Sequence, residues 1–213
     1  MSGPGRFITI EGLEGAGKSS CLDFVRSHLA AAGHPPLMTR EPGGTPLAEA
    51  IRELLLDHRF AGMDVSTEVL LVFAARAEHL SKVIRPALAR GEWVVCDRFT
   101  DATYAYQGGG RELGADRVAA LEAWTQGELR PDLTVLLDVP VSIGRDRASQ
   151  RGAPDRFEVE RDAFFERART AYLAQAEAEP ERVHVVDASL PVKSVQSQLE
   201  RILDAFLGRN ERG

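Results

Sequence analysis

The chain has 213 residues, 44% of them hydrophobic and 27% charged, and a formal net charge of −6. That length and composition suit one globular domain with a single substantial core, with room for a small mobile insertion. The negative balance supplies no long-range attraction for a polynucleotide, although a local cluster of donors can still hold a small anion.

All but three of the 26 basic residues (Lys18, Lys82 and Lys193) are arginine. Arginine suits two-pronged phosphate contacts, and a general compositional bias explains the excess equally well. Cys21 and Cys96 match no metal or redox spacing and are predicted to be reduced and buried. Met1 to Gly5 shows neither the basic start nor the apolar run of a signal peptide. No stretch approaches the roughly 18 apolar residues of a membrane span. A cytoplasmic location with no membrane partner is the resulting expectation.

In chain order, Arg6 to Glu11 (RFITIE) is a short β-branched run that stops at Gly12. After Lys18, the apolar positions Leu22, Val25 and Leu29 recur at helical spacing, and Gly33 ends the helix. Leu37 to Arg40 is a second strand. Helices are predicted over Thr45 to Leu56 and Ser66 to Arg90, the latter with a bend or break at Pro86. Trp93 to Asp97, Leu133 to Val139 and Val183 to Asp187 are continuous apolar strands, the pattern of a sheet covered on both faces. Further helices are expected over 115–127, 142–149, 159–178 and 192–207. Strand and helix in alternation predict one parallel sheet flanked by helices, a three-layer α/β architecture. Gly108 to Gly110 are expected to mark a tight or mobile loop. Gly152 and Pro154 interrupt RDRASQRGAPDR, placing Arg147, Arg151 and Arg156 near an exposed segment, either a solvated loop or a phosphate-touching lid.

Gly12 to Ser19, GLEGAGKS, matches G-x-x-x-x-G-K-[ST] between a strand and a helix, the context a P-loop requires. Gly12, Gly15 and Gly17 allow close backbone approach. The amides of Gly12, Leu13, Glu14, Gly15, Ala16 and Gly17 then converge on phosphate oxygens at the positive end of the helix. Lys18 reaches the β- and γ-phosphates, and the Ser19 hydroxyl ligates Mg²⁺. An ATP-dependent kinase is the leading reading. The guanine-reading N-K-x-D pattern is absent, which lowers a GTPase, and a nucleotide-gated regulatory protein is a further alternative.

Asp97 and Arg98 end a strand, where a parallel sheet gathers its ligands. Asp97 is a candidate to hold Mg²⁺ through water or to orient the attacking phosphate. Arg98 is a candidate to mask the charge of an anionic acceptor. Arg40 opens the turn REPGG as a second phosphate candidate. Phe73 and Arg76 share a helix face, where the ring either stacks on a base or lies in the core. Thr103, Tyr104, Tyr106 and Gln107 form a polar-aromatic segment suited to a base and sugar.

Taken together, FITIEGLEGAGKS, TREPGGTPLAE, LLVFAARAEHL, VVCDRFTDATYAYQGGGR, LRPDLTVLLDVP, RGAPDRFE and VHVVDA resemble the bacterial thymidylate kinases nearly end to end. The resemblance implies a P-loop kinase fold with a five-stranded parallel sheet, helices on both faces and a short lid at about 147–158. It implies transfer from ATP to dTMP with Mg²⁺, in a homodimer. Laid on this sequence, it makes Glu14 a neighbour of the deoxyribose 3′-hydroxyl and the metal region. Phe73 becomes the thymine-stacking ring and Arg76 the donor to O4. Thr103 and Gln107 lie beside the base, Tyr106 crowds the sugar, and Arg98 holds the dTMP phosphate with Arg40 nearby. The eukaryotic branch carries a catalytic arginine where this chain has Gly15. The implied catalytic set here is therefore Lys18, Arg98 and the lid residue Arg151, with Arg147 and Arg156 in support. A kinase for another nucleoside monophosphate or small metabolite is the nearest rival.

Overall fold

The structure is a computed structural model, and it describes residues 5–150 and 155–210. Five strands, β1 (Phe7–Gly12), β2 (Leu37–Arg40), β3 (Val94–Asp97), β4 (Leu133–Asp138) and β5 (Val183–Asp187), form one sheet in the order β2-β3-β1-β4-β5. Every pairing is parallel. β1 is therefore central, and the loop that follows it opens at the middle of the sheet's carboxyl edge, where ligands of open parallel sheets bind.

β1 shows why a strand with so few polar residues sits there. Ile8 and Ile10 point to a core shared with Val25 and Leu29 of α1 (Lys18–Ala31) and Leu199, Leu203 and Phe206 of α9 (Val192–Asn210). Phe7 points to the other face, against Phe99, Val94 and Cys96. Between them, Thr9 meets Thr134 of β4 hydroxyl to hydroxyl at 2.7 Å, so its buried polar atom is satisfied. Both cysteines are free and buried, as the sequence predicts.

On the second face lie α2 (Pro46–Leu56), α3 (Val65–His79), α4 (Arg85–Ala89), α5 (Thr100–Thr103), α6 (Ala115–Gln126) and α8 (Asp162–Ala178), while α7 (Val141–Ala148) closes over the P-loop. Thr45 caps α2 by accepting from the Ala48 amide at 3.1 Å, and Asp64 caps α3 through Ser66 and Thr67. The helix expected over 66–90 is relaxed before Pro86 rather than at it: residues Leu80–Ile84 are wound in π fashion. Pro86 has no N–H and its ring would crowd the carbonyl four residues back, so the adjustment falls on the preceding turn.

The glycine run corrects the expectation of a loop. Tyr104–Gly110 continues α5 as a π-wound helix packed against α8. A Cβ at Gly109 would lie 2.8 Å from Ala171, and one at Gly110 would lie 2.5 Å from the Phe164 ring. The glycines are there for close helix approach, not for a turn.

Candidate active site

Three glycines of the P-loop adopt positive φ, with Gly12 at 140°, Gly15 at 74° and Gly17 at 90°. That backbone turns the loop from β1 into α1 without side-chain obstruction. Lys18 folds back over it, donating to the carbonyls of Gly12 and Leu13, both at 3.2 Å. Burial, and then the nearby Arg98, pull the Lys18 ammonium down to about 8, against the opposing pull of Glu14, Asp97 and Glu11.

Gly15 explains more than flexibility. A Cβ built on it would run into the Gly144 carbonyl oxygen of α7, and one on Gly144 would stand 2.7 Å from the Glu14 carbonyl oxygen. The two glycines let α7 and the P-loop touch backbone to backbone. An arginine at position 15 has no room in this arrangement.

Arg98 sits just past β3 at φ 67°, a left-handed conformation uncommon for a side chain of this size. Its Nη2 donates to Glu14 Oε1 at 2.7 Å, its Nη1 to the Tyr172 hydroxyl at 3.2 Å, and its guanidinium lies 4.7 Å from the Tyr106 ring centre. Tyr106 in turn donates to the other Glu14 oxygen at 2.6 Å. Burial alone would raise the Glu14 carboxyl, but Arg98, Lys18 and the Tyr106 hydroxyl outweigh it and hold the group below its usual range. Behind this set, Glu11 is fully buried. It accepts from the Phe99 amide at 2.6 Å and from the Tyr172 hydroxyl at 2.7 Å. Burial, reinforced by Asp101, pushes its carboxyl up to about 8.

A cavity of about 260 Å³ joins the P-loop to α3 and α5. Glu14, Lys18, Ser19, Asp97, Arg98, Arg76, Thr103, Tyr106 and Gln107 all line it, so nine residues singled out from sequence converge on one space. Arg76 is nearly sequestered. Its Nε donates to Glu41 at 2.7 Å and its Nη2 to Thr103 at 2.9 Å, while Nη1 is buried and has no hydrogen-bond partner among the described residues. A buried donor left open at a cavity wall is one that a bound ligand can satisfy. Asp97 Oδ1 is likewise buried without a donor. Together with the exposed Ser19 hydroxyl at the start of α1, that carboxylate suits Mg²⁺, which takes few protein ligands when a polyphosphate supplies the rest.

Two expected contacts are placed elsewhere. Phe73 does not line the cavity: it is buried with Val69 and Val118, 4.8 Å from the Arg76 guanidinium, and Val72 takes the cavity wall. One residue is about 100° on a helix, so a shift of one exchanges wall for core. Arg40 is half-exposed outside the cavity lining, where its Nη2 donates to Glu49 at 2.8 Å.

The three arginines expected at a lid do not share one setting among the described residues. Arg147 donates to the carbonyl of Ala188 at 2.8 Å, beyond the end of β5. Arg156 is 2% exposed, donates to the Leu55 carbonyl at 2.6 Å and pairs with Glu68, so it anchors the segment rather than facing the cavity. Arg151 lies outside the described residues. Residues Asp155, Phe157 and Glu158 line the cavity instead.

The sequence reading missed Glu11, Glu41, Arg52, Glu68, Val72 and Tyr172. Glu11 alone carried a signal, a carboxylate closing an otherwise apolar strand. Tyr172 shares apolar helical spacing with Phe165 and Ala168 and reads as core, and Arg52 reads as a solvated face.

A sequence model of the family described as Thymidylate kinase matches residues 10–199. A thymidylate kinase of Alkalilimnicola ehrlichii is 62% identical over 206 residues, covering 96% of this chain and 95% of its own length. One from Pseudomonas syringae pv. tomato is 60% identical over 203 residues, covering 95% and 97%. Among solved structures, the crystal structure of thymidylate kinase from Ehrlichia chaffeensis superposes with a TM-score of 0.76 at 30% identity, covering 95% of this chain and 99% of that one.

Proposed function

The chain belongs to the thymidylate kinase family, and from that premise we propose how its residues divide the transfer of the ATP γ-phosphoryl group to dTMP, giving dTDP and ADP. The P-loop amides, Gly12 to Ser19, and Lys18 hold the donor phosphates, and the positive end of α1 adds to their field. Mg²⁺, held by Ser19 with Asp97 in support, offsets the charge of the polyphosphate. Arg98 holds the acceptor phosphate, because its guanidinium is already anchored by Glu14 and Tyr172 in the same cavity as Lys18. The acceptor oxygen is an anion, so no strong general base is needed, and direct in-line transfer without a phosphoenzyme follows. Arg151 completes the charge on the transferred group from the lid, residues 147–158, whose closure excludes water. Arg40 supports the acceptor phosphate from the REPGG turn.

At the base, Arg76 donates to O4, and Phe73 backs its guanidinium from the core side. Thr103 orients Arg76, Gln107 meets the ring edge, and Tyr106 crowds the sugar beside Glu14. The observation that carries this reading is Arg76 Nη1, a buried donor waiting for a carbonyl at the cavity wall. The test is an ADP-coupled assay with product identification over dTMP, dUMP, UMP, CMP and GMP. Preferential dTDP formation is expected, and a strong preference for any other acceptor overturns the base site.

A homodimer is part of the proposal. Leu47 and Leu54 on α2, Leu70 on the adjoining α3 and Trp124 on α6 are exposed, and α3 packs on both other helices. No described helix is long and apolar enough to cross a membrane, which supports the proposed cytoplasmic location.

A further inference from the structure

Glu68 on α3 has no place in the division of labour above, yet it is fully buried and three groups meet it. Its Oε1 accepts from Gln107 Nε2 at 2.8 Å and from Arg111 Nε at 3.2 Å. Its Oε2 lies 2.7 Å from Arg156 Nη2. Arg156 is fixed in turn at the end of α2 by its bond to the Leu55 carbonyl. Two guanidinium groups offset the charge of a carboxylate that would otherwise be costly to bury.

We propose that Glu68 is a specificity-determining positioning residue, which sets the Gln107 side-chain amide with its nitrogen inward and its carbonyl toward the base. The inference rests on the reading of this cavity as the dTMP site. A carboxylate flanked by two guanidinium groups accepts hydrogen bonds and does not donate them. The Gln107 nitrogen therefore faces Glu68, and Oε1 is the arm left to the cavity that Gln107 lines. Arg76 Nη1 supplies the open donor on the same wall. The pocket thus offers one donor and one acceptor to the edge of the ring.

A 4-oxo pyrimidine fits that order, since O4 accepts and N3–H donates. A 4-amino pyrimidine reverses both groups, presenting an amine to Arg76 and a bare N3 to a carbonyl. Each mismatch strands a buried polar group, which costs more than a bond of average strength returns. A site built this way rejects the wrong partner on the order of 10⁴-fold. The carboxylate at position 68 thereby decides which base is read, without touching it.

The experiment compares kcat/KM for dTMP and 5-methyl-dCMP, which match in shape and differ in this pattern, using the native protein, Glu68→Gln and Glu68→Asp. An amide at position 68 can donate to Gln107 and let it turn over. Glu68→Gln is therefore expected to narrow the ratio of the two acceptors by at least about tenfold, the worth of one such bond, and Glu68→Asp is expected to keep it. Thermal melts and ATP affinity confirm that the variants are folded. Glu68→Gln with an unchanged ratio, or with both acceptors weakened by the same factor, overturns the inference while dTMP preference stands. A native protein that does not prefer dTMP overturns the site reading and the inference together. A second readout does not depend on the Glu68 variants folding. In the native dTMP complex the N3 imino proton is expected as a downfield, slowly exchanging resonance bound to Gln107 Oε1, lost in Gln107→Leu. Absence of that resonance in the native complex overturns the inference.

Discussion

Lys18 stands in a field that changes sign when substrate arrives. Before binding, burial and Arg98 hold its ammonium at about 8. A polyphosphate brings several negative oxygens to the same point and favours the charged form. Titrating Mg-ATP at pH 8 in two buffers of different ionisation heat should therefore show net proton uptake. The uptake should vanish in Lys18→Ala. The same variant should lose on the order of 10²- to 10³-fold in kcat, the scale of one preorganised charge. Its melting curve should stay close to native, since among the described residues the side chain donates only to two P-loop carbonyls. Near-native turnover would contradict the role given to the loop. The motif made Lys18 legible from sequence. Glu14 and Arg98 were named as well, but not their contact with each other, because they lie 84 residues apart in the chain and meet only at the sheet edge.

At the scale of elements, two backbone contacts shape the site. α7 rests on the P-loop through Gly144 and Gly15, and the π-wound end of α5 lets α8 bring Tyr172 toward Arg98. Gly144→Ala places a methyl group 2.7 Å from the Glu14 carbonyl, so α7 or the loop must move. We expect a loss of about 1–3 kcal/mol in stability, as for other overpacked contacts, together with weaker ATP binding. Unchanged ATP affinity would show that the P-loop does not depend on α7. Two of these helices, α7 and α8, were legible from the sequence, with ends shifted by one to three residues, whereas α5 and its π-wound end were read as a polar-aromatic segment and a loop. The glycine run misled because its composition fits a turn as well as a close helix contact. Only the position of Phe164 and Ala171 opposite it distinguishes the two.

For the whole molecule, the sheet order places β1 between β3 and β4, so a carboxylate at its end is enclosed on every side. Glu11 carries the consequence. The unfolded chain releases this proton near 4.5, while burial and Asp101 keep it on the folded protein until about 8. Between those values the folded state binds more protons, so the contribution of Glu11 to stability is fully present below 4.5 and declines as pH rises toward 8. Urea denaturation across pH 5 to 8 should show the native protein losing stability relative to Glu11→Gln as pH increases. A constant difference between the two would refute the assignment. The parallel three-layer architecture itself was legible, because strands covered on both faces read as nearly continuous apolar runs and parallel strands are usually joined by helical crossovers.

Local chemistry decided the donor half of this protein from sequence alone. Glycine spacing, a lysine and a hydroxyl between a strand and a helix admit few arrangements, because the P-loop acts through neighbouring backbone. The acceptor half was visible only as residue types: Arg76, Arg98, Thr103, Tyr106 and Gln107 were named, but not what holds them. Tertiary structure supplied that. It turned Phe73 into the core and Val72 to the wall, buried Arg156 against Glu68, and set Glu11 and Tyr172 behind Arg98. These are contacts between distant segments, and the direction of a side chain on a helix depends on what packs against it.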